Sequence, residues 1–331
     1  MYTPPFTISA HAINLIAEIS GQIERYAIRL EQSDAMKLRK ANRIRTIHSS
    51  LAIEGNTLSE DEVKDIIEGK TVIAPLRQIQ EVKNAIKTYE LYSSLNPFSV
   101  DDLLKAHGTM MMALTDDAGR FRRGGVGVFS EKGLVHMAPP ANRVPELIIN
   151  LFEWLKEAKD HLLIRSCVFH YEFEFIHPFS DGNGRTSRLW QSLILGKLHP
   201  LFEHLPVENM VYANQEAYYN AIQASTAAAN SGPFIDFMLQ EILDALKNHQ
   251  GSPLPQSEYS EVRDKVRVKF GISSGQIIEL IRHNSSITLD EIADTLSVTR
   301  RAIEKKIKEL RDAGYIRREG SNKSGRWVII E

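Results

Sequence analysis

Residues 177–188 (HPFSDGNGRTSR) hold the side chains of this chain that are best suited to chemistry. They place an imidazole (His177), a carboxylate (Asp181) and two guanidinium groups (Arg185 and Arg188) around a Gly-Asn-Gly turn. An imidazole titrates near neutral pH and suits a general base. A single carboxylate suits a Mg²⁺ ion that keeps its waters and shares the phosphates of a substrate. Together these groups predict phosphoryl or nucleotidyl transfer to a hydroxyl group.

The turn itself is suited to hold phosphate. Gly182 and Gly184 allow the backbone to bend tightly and to approach a ligand closely. Successive N–H groups in such a turn bind anions, and Asn183 between the glycines can add a side-chain donor. Apolar residues at helical spacing flank the motif on both sides, which predicts a loop that leads into a helix N-terminus. From spacing alone, an ordinary helix stop with a packed aromatic and a common turn is equally compatible with the sequence.

The elements around this loop resemble those of a known family. The run matches the Fic motif, His-x-Phe-x-Asp/Glu-Gly-Asn-Gly-Arg-x-x-Arg, at every specified position. The similarity extends over roughly residues 30–245 and includes 119–128 and 137–148, which look like the segments around the family's target-binding flap. The resemblance implies an enzyme that transfers AMP from ATP, with Mg²⁺, to a Ser, Thr or Tyr hydroxyl of a protein.

The same resemblance assigns roles to individual residues. It implies that His177 is the base, that Asp181 holds the metal and that Phe179 anchors the loop in the core. Gly184 stands where the related Doc-type kinases carry Lys, which favours AMP transfer over phosphate transfer. The implied α-phosphate site is Gly182, Asn183 and Gly184, and the implied β- and γ-phosphate ligands are Arg185 and Arg188. The ATP site that we expect also includes Thr186 and Ser187, with Tyr219 and Asn220 at the adenosine end.

A second motif lies upstream. Residues 36–53 have helical character, and Gly55 stands where a glycine commonly ends a helix. The chemistry of Glu54 alone favours a solvated surface glutamate, although its charge faces the negative end of a helix. However, Ser50-x-x-x-Glu54-Gly55 matches the Fic inhibitory motif, Ser/Thr-x-x-x-Glu-Gly/Asn. The resemblance implies that Glu54 competes with the γ-phosphate for Arg188 and inhibits the enzyme.

Two further local patterns predict structure. Ser59-x-x-Glu62 reads as a capping box that begins a helix. Residues 126–129 and 134–137 flank 130–133 as the two strands of a β-hairpin. The resemblance implies that this hairpin is a flap whose edge could pair with a target segment; the alternative is an ordinary surface hairpin.

Composition sets the remaining bounds. A length of 331 residues predicts two or three domains. A net charge of −2 argues against an overall electrostatic attraction of the chain to nucleic acid or to a membrane surface. Cys167 is the single cysteine and cannot form an internal disulfide. The N-terminus lacks a signal-peptide pattern, and no run approaches 18 apolar residues, so we expect a cytoplasmic protein without membrane contact.

The C-terminal part resembles a winged helix-turn-helix domain. Residues 299–327 contain ten Lys or Arg and four Asp or Glu, a local net charge of +6. Such charge can supply affinity for DNA phosphates, but winged helices also serve as docking modules, and the sequence leaves both functions open. The predicted helices are 274–283, 287–296 and the recognition helix 299–313, and the predicted wing strands are 315–318 and 326–330 around 320–325.

These observations predict a mainly α fold, with a Fic-type helical core, a β-hairpin flap and a small C-terminal α/β winged-helix domain. We expect an autoinhibited, self-modifying protein adenylyltransferase, and the resemblance suggests a homodimer. One alternative is a nucleotide-sensing, DNA-binding transcriptional regulator, and another is transfer of a different phosphoryl group. The expected domains are an N-terminal helical region (1–95), the catalytic core (96–246), a linker (247–271) and the winged helix (272–331).

Overall fold

In the computed structural model of the protein, the described residues are 2–32, 35–130, 133–203, 205, 207–248, 272–283, 285, 287–296, 298–319 and 326–330. The chain divides into two compact units, Met1–Gly251 and Ser252–Glu331. The division falls inside the stretch expected to be a linker, whose residues 249–271 lie outside the described part. Among the described residues, none of the helices is both long and apolar enough to span a bilayer.

The first unit is helical apart from one hairpin, as the sequence predicts. Three short 3₁₀ helices, Tyr92–Ser94, Ala141–Arg143 and Pro200–Glu203, connect its elements. Its described α-helices are α1 (Ala10–Gln32), α2 (Ala35–Ala52), α3 (Glu60–Ile67), α4 (Leu76–Glu90), α5 (Val100–Met110), α6 (Val144–Glu157), α7 (Leu162–Ile176), α8 (Asn183–Gly196), α9 (Val207–Ala213), α10 (Gln215–Ala228) and α11 (Gly232–Asn248).

Helices α7 and α8 form the centre of this unit. Buried residues occur on every face of α7, which is the pattern of a helix surrounded by others. Accordingly α7 packs against α6, α8 and α11. Phe169, Phe173 and Trp190 are fully buried here. The core also takes residues from both sides of the expected boundary at 95/96, among them Ile19 and Leu103. The loop between α7 and α8 is therefore held by two rigid elements.

A smaller core joins α2, α3 and α4. Helix α2 ends in a Schellman motif, because Asn56 N–H donates to Leu51 O at 3.1 Å and Gly55 N–H donates to Ala52 O at 3.0 Å. Gly55 has a φ of +87°, which confirms the expected helix-ending glycine. This motif fixes the chain direction at Glu54, the residue just before the glycine.

The two other local predictions for this unit are also confirmed. Ser59 caps α3, and the side chain of Glu62 bonds back to the Ser59 N–H at 2.8 Å, which completes the capping box. Strands β1 (Gly127–Ser130) and β2 (Gly133–Met137) pair as an antiparallel hairpin whose register shifts between Val128 and Phe129.

The second unit has the helix order and the strand pair expected of a winged helix. Thr299 caps the third helix through a bond from Ala302 N–H, and Gly314 ends it with a φ of +80°. The expected turn 320–325 lies outside the described residues. The elements are α12 (Ile272–His283), α13 (Leu289–Thr295), α14 (Arg300–Asp312), β3 (Ile316–Glu319) and β4 (Arg326–Ile329), with β3 and β4 antiparallel.

Candidate functional site

His177 is the residue that follows α7, and its backbone is left-handed, with φ 50° and ψ 61°. This conformation is uncommon for a residue other than glycine, costs about 1–3 kcal/mol, and occurs most often at functional sites. Pro178 follows, and proline disfavours the right-handed helical conformation of the residue before it. The N–H of His177 still donates to Phe173 O at 2.9 Å. The backbone of His177 is therefore fixed at the C-terminal end of α7, and this fixes the position from which the imidazole extends.

Arg122 holds this turn from the other side. It is 2% exposed, and its Nε donates to His177 O at 2.7 Å. Its Nη1 donates to Gly124 O at 2.8 Å, and its Nη2 donates to Pro139 O at 2.6 Å. Burial lowers the pKa of this guanidinium. Because Gly124 precedes the hairpin and Pro139 follows it, one side chain ties the base of the hairpin to the backbone of His177.

Phe179 anchors the loop in the core, in agreement with its expected role. It is fully buried, and its ring stacks on His107 with centroids 3.6 Å apart. Gly119 N–H donates to His107 Nδ1 at 2.9 Å, so Nε2 carries the proton and donates to Asp181 O at 3.0 Å. Burial lowers the pKa of His107, which favours this neutral form.

The Gly-Asn-Gly turn begins α8. Gly182 is the N-cap with a φ of +82°, and a Cβ there would lie 2.7 Å from Met111 Sδ. The side chain of Asn183 bonds both the N–H and the C=O of Phe179, each at 2.9 Å. The amide that the sequence suggests as a ligand donor thus closes the loop. The N–H groups at the start of α8 are groups of this turn that could receive an anion.

Asp181 lies at the open side of the turn, with its side chain 39% exposed. Its Oδ1 accepts from Gly182 N–H at 2.6 Å and from Arg185 Nη2 at 3.2 Å. Its Oδ2 lies 3.4 Å from Nη2 of the exposed Arg77. Among the described residues, no three His, Cys, Asp or Glu groups converge as a metal site. One exposed carboxylate fits a Mg²⁺ ion that a nucleotide carries rather than a metal held by the protein alone.

The side chains of Arg185, Thr186 and Ser187 on α8 have different partners. Arg185 is 4% exposed and bonds Asp181, as described above. Thr186 and Ser187 are fully buried, and their hydroxyls have protein partners: Thr186 Oγ1 donates to Gly182 O at 2.7 Å, and Ser187 Oγ bonds Glu174 at 2.5 Å. The structure therefore turns these two side chains, which we expected at the ATP site, towards the core.

Arg188 and Glu54 are in direct contact. Arg188 Nη2 donates to Glu54 Oε1 at 2.8 Å and to Ser50 O at 3.0 Å, and its Nε lies 3.5 Å from Ser50 Oγ. Burial disfavours the charge of Arg188, but Glu54, Tyr218 and Glu174 together outweigh it and raise the pKa of the guanidinium. A Cβ on Gly184 would lie 2.5 Å from Glu54 Oε1. Glu54 of the upstream motif thus lies against both Gly184 and Arg188 of the loop motif.

The expected adenosine end lies on α10. Tyr218 is 2% exposed and belongs to the core, whereas Tyr219 is 40% exposed. Asn220 is exposed on the same helix. Burial, and then the nearby Glu54 carboxylate, raise the pKa of Tyr219. The ring of Tyr219 is thus exposed to solvent, and contacts of Tyr219 and Asn220 with a nucleotide remain a prediction.

Sequence reasoning missed Glu174, which lies beneath the site. Its Oε2 is 4.0 Å from His177 Nδ1, and its side chain is 12% exposed. Burial raises the pKa of this carboxyl to about 7. The signal was present in the sequence, because Glu174 precedes His177 by three residues and shares its helix face. Arg122 and His107 were also missed, since their contacts join segments far apart in sequence.

The second unit carries a separate candidate surface on α14. The acidic residues that dilute its charge in the sequence each pair with a basic neighbour: Glu304 with Arg300 at 3.0 Å, Glu309 with Lys306 at 3.2 Å, and Asp312 with Arg311 at 3.7 Å. Within the described residues, no carboxylate pairs with the three exposed cations Arg301, Lys305 and Lys308. Their spacing places them on one face of the helix.

Comparison with known proteins assigns both units. A family model described as the Fic/DOC family matches residues 97–195, and a model described as an HTH domain matches residues 275–325. The crystal structure of a Fic family protein from Desulfovibrio desulfuricans G20 is similar with a TM-score of 0.71 and 38% identity, and the match covers 99% of this chain and 98% of that one.

More distant relatives match the first unit and carry an activity in their names. Protein adenylyltransferase fic-1 of Caenorhabditis elegans is 30% identical over 254 residues, which is 67% of this chain and 47% of that protein. Protein adenylyltransferase Fic of Nematostella vectensis is 30% identical over 209 residues, or 58% of this chain and 45% of that protein. The chain thus spans about half the length of these curated relatives. A solved structure of C. elegans Fic-1 is 21% identical with a TM-score of 0.57, covers 72% of this chain and 71% of that one, and reports on the fold alone.

Proposed function

Because this chain belongs to the Fic/DOC family, we propose that it is a protein adenylyltransferase that transfers AMP from ATP to a protein hydroxyl. The observation that carries the proposal is the convergence of His177, the N-terminus of α8 and two arginines on one loop. The names of the relatives that match the first unit point to the same reaction.

In this reaction the triphosphate lies along the start of α8. The Gly182–Asn183–Gly184 turn at the N-terminus of α8 receives the α-phosphate, and Arg185 and Arg188 receive the β- and γ-phosphates. Asp181 would hold a nucleotide-bound Mg²⁺, whose charge offsets that of the phosphates. Tyr219, exposed on α10, is available to the adenosine.

His177 then acts on the acceptor. The hydroxyl oxygen of a Ser, Thr or Tyr side chain attacks the α-phosphorus, and its proton passes to the imidazole of His177. The bond between the α-phosphorus and the bridging oxygen breaks, and pyrophosphate leaves. The product is an AMP ester of the protein, and residues of this chain itself are among the acceptors that we propose.

Glu54 inhibits this reaction in our proposal. Its carboxylate occupies the guanidinium of Arg188 at 2.8 Å, which is the group that a γ-phosphate would use. A nucleotide can still enter, but its triphosphate cannot lie along α8 in the reactive direction. The enzyme is therefore largely inactive until Glu54 moves. We propose that a homodimer keeps it in place, as the resemblance suggests.

The test uses ATP labelled at either the α- or the γ-phosphorus, with Mg²⁺, and the full chain with Glu54→Gly. We expect protein label from α-labelled ATP only, and none in the double variant that adds His177→Ala. His11→Ala, at an exposed position of α1, is the matched control and should keep full labelling. Label from γ-labelled ATP would favour phosphate transfer instead. If neither α-labelled nor γ-labelled ATP labels the protein, the proposal is wrong.

DNA binding by the second unit is a second candidate function. The HTH match and the unneutralised face formed by Arg301, Lys305 and Lys308 favour it. In that case α14 enters the major groove, and the first unit either senses nucleotide or modifies proteins near a DNA site. Docking to another protein is the alternative, and binding of the full chain to duplex DNA separates the two.

A further inference from the structure

Glu174 occupies an unusual position for a charged residue. It lies inside α7, one helical turn before His177, and its side chain is 12% exposed. Its Oε2 is 4.0 Å from Nδ1 of the His177 imidazole. Because Nδ1 is the ring nitrogen beside this carboxylate, Nε2 is the nitrogen that is left for a substrate proton.

Ser187 fixes the carboxylate of Glu174. Its Oγ donates to Glu174 Oε1 at 2.5 Å. The Ser187 hydroxyl also lies 3.2 Å from His170 Nε2, but this nitrogen already has another donor. His170 Nδ1 bonds Gln191 Oε1 at 2.5 Å, and its Nε2 accepts from Tyr218 OH at 3.0 Å. Burial lowers the pKa of His170 to about 3, so it stays neutral. The other acceptor within reach of the Ser187 hydroxyl is Gly184 O at 2.9 Å, and the contact with Glu174 is the shorter of the two.

We propose that Glu174, held by Ser187, is a positioning residue for His177, which it orients through Nδ1 and whose charged form it stabilises. This inference rests on the proposed function, in which His177 is the base. During transfer, His177 Nε2 takes the proton of the acceptor hydroxyl as the oxygen–phosphorus bond forms and pyrophosphate leaves. Glu174 gains and loses no proton in this step, and its negative charge offsets the imidazolium that the step creates.

The charges around Glu174 set the conditions for this role. Arg188 on α8 favours its ionised form, and Glu54 at the end of α2 disfavours it. Tyr218 and Tyr219 on α10 are phenols whose pKa values burial raises, so they are neutral neighbours. Burial raises the pKa of Glu174 to about 7. A positive charge on the imidazole 4.0 Å away favours the ionised carboxylate, and the ionised carboxylate favours that positive charge.

Helix α7 also supplies a matched control. Glu172 lies two residues before Glu174, is 5% exposed, and burial raises its pKa to about 7. It accepts a bond from Tyr2 OH at 3.2 Å, and its side chain points away from His177, since positions two apart on a helix do not face the same side. A general effect of removing a buried charge from α7 would appear in both Glu172→Gln and Glu174→Gln.

The first measurement is the NMR titration of the His177 ring nitrogens in the full chain, which needs no catalysis. We expect the imidazole of Glu174→Gln to titrate lower than that of the wild type by about 0.7 pH unit or more, the shift that one charge at this distance causes even in bulk water. Glu172→Gln should match the wild type. An unchanged titration in Glu174→Gln, or an equal shift in Glu172→Gln, overturns the proposal.

If Glu174→Gln does not fold, the variant Ser187→Ala tests the same proposal. The Ser187 hydroxyl lowers the pKa of Glu174, so its loss leaves the carboxyl more protonated. His177 should then titrate lower as well, by less than in Glu174→Gln. No shift in this variant counts against the proposal.

The second measurement is the pH profile of AMP transfer in the Glu54→Gly background. Glu174→Gln should lower kcat by about ten-fold or more and change KM for ATP by less than about two-fold, because Glu174 acts through the base. An equal loss in Glu172→Gln overturns the positioning role. If no variant transfers AMP, the adenylyltransferase assignment fails, while the titration alone still decides whether Glu174 and His177 are coupled.

Discussion

The carboxylate of Glu54 and the guanidinium of Arg188 lie 2.8 Å apart although 134 positions separate them in sequence. The contact requires the absence of a side chain at Gly184, where a Cβ would lie 2.5 Å from Glu54 Oε1 and 2.9 Å from Arg188 Nη1. It also requires the Schellman motif at Gly55, which directs Glu54 towards α8. The segment that we propose to be inhibitory and the loop that we propose to bind phosphate are thus in direct contact.

The first prediction concerns this contact. Glu54→Gly should raise α-labelled AMP transfer about ten-fold or more, because a hydrogen bond to a charged group contributes about 1.5–3 kcal/mol and each 1.4 kcal/mol is a factor of ten. Glu54→Gln keeps the size of the side chain but not its charge, and should give most of the same gain. Equal labelling by the wild type and both variants would contradict an inhibitory role.

The sequence predicted the local parts of this arrangement well. The glycine that ends α2, the capping box at Ser59 and the hairpin depend on near neighbours in the chain. The same is true of the Gly182 turn, whose backbone conformation follows from the residue itself. Patterns of this kind are readable because the residues that form them are close together in sequence.

Some of the parts that sequence reasoning missed depend on distant contacts. Nothing in the sequence singles out Arg122, because its four carbonyl acceptors come together only after folding. The side chain of Asn183 closes its own loop around Phe179, a contact that the motif alone does not predict, and its role at the ATP site stays a prediction. Thr186 and Ser187 follow the motif glycine but face the core, because the helix rotates each residue by about 100° from the last.

The second prediction concerns Arg122. Arg122→Lys should destabilise the first unit by about 2 kcal/mol or more, since one ammonium cannot reach carbonyls in three directions and each buried acceptor left unpaired costs about 1–3 kcal/mol. Urea unfolding of the full chain measures this. The exposed neighbour Arg123→Lys is the control and should stay within about 0.5 kcal/mol of the wild type. If the urea midpoint of Arg122→Lys equals that of the wild type, the hydrogen bonds of Arg122 do not hold the base of the hairpin.

The third prediction concerns Glu208 on α9, which is 3% exposed and accepts from Tyr89 OH at 3.1 Å. Burial raises its pKa from 4.5 to about 7. Its folded-state pKa is above the unfolded one, so its contribution to stability is complete below pH 4.5 and is lost as the pH rises through 7. Glu208→Gln keeps the acceptor for Tyr89 and removes the charge.

The free energy of unfolding of Glu208→Gln relative to that of the wild type should therefore increase between pH 4.5 and 8, by about 3 kcal/mol. Urea unfolding at a series of pH values gives this difference. For Glu203→Gln, an exposed neighbour of the same cleft, the difference should not depend on pH. A flat difference for Glu208→Gln would show that its carboxylate is neutralised by a partner or by water.

The fourth prediction concerns α14. Its acidic side chains are already paired, so Arg301 and Lys305 carry unneutralised charge on one face. If this face meets DNA phosphates, the double variant Arg301→Ala, Lys305→Ala should weaken binding of the full chain to duplex DNA about ten-fold or more, and the slope of log affinity against log salt should fall by about one for each contact removed. Lys156→Ala, an exposed lysine of the first unit, should change neither. Unchanged affinity and slope in the double variant would favour protein docking as the role of the second unit.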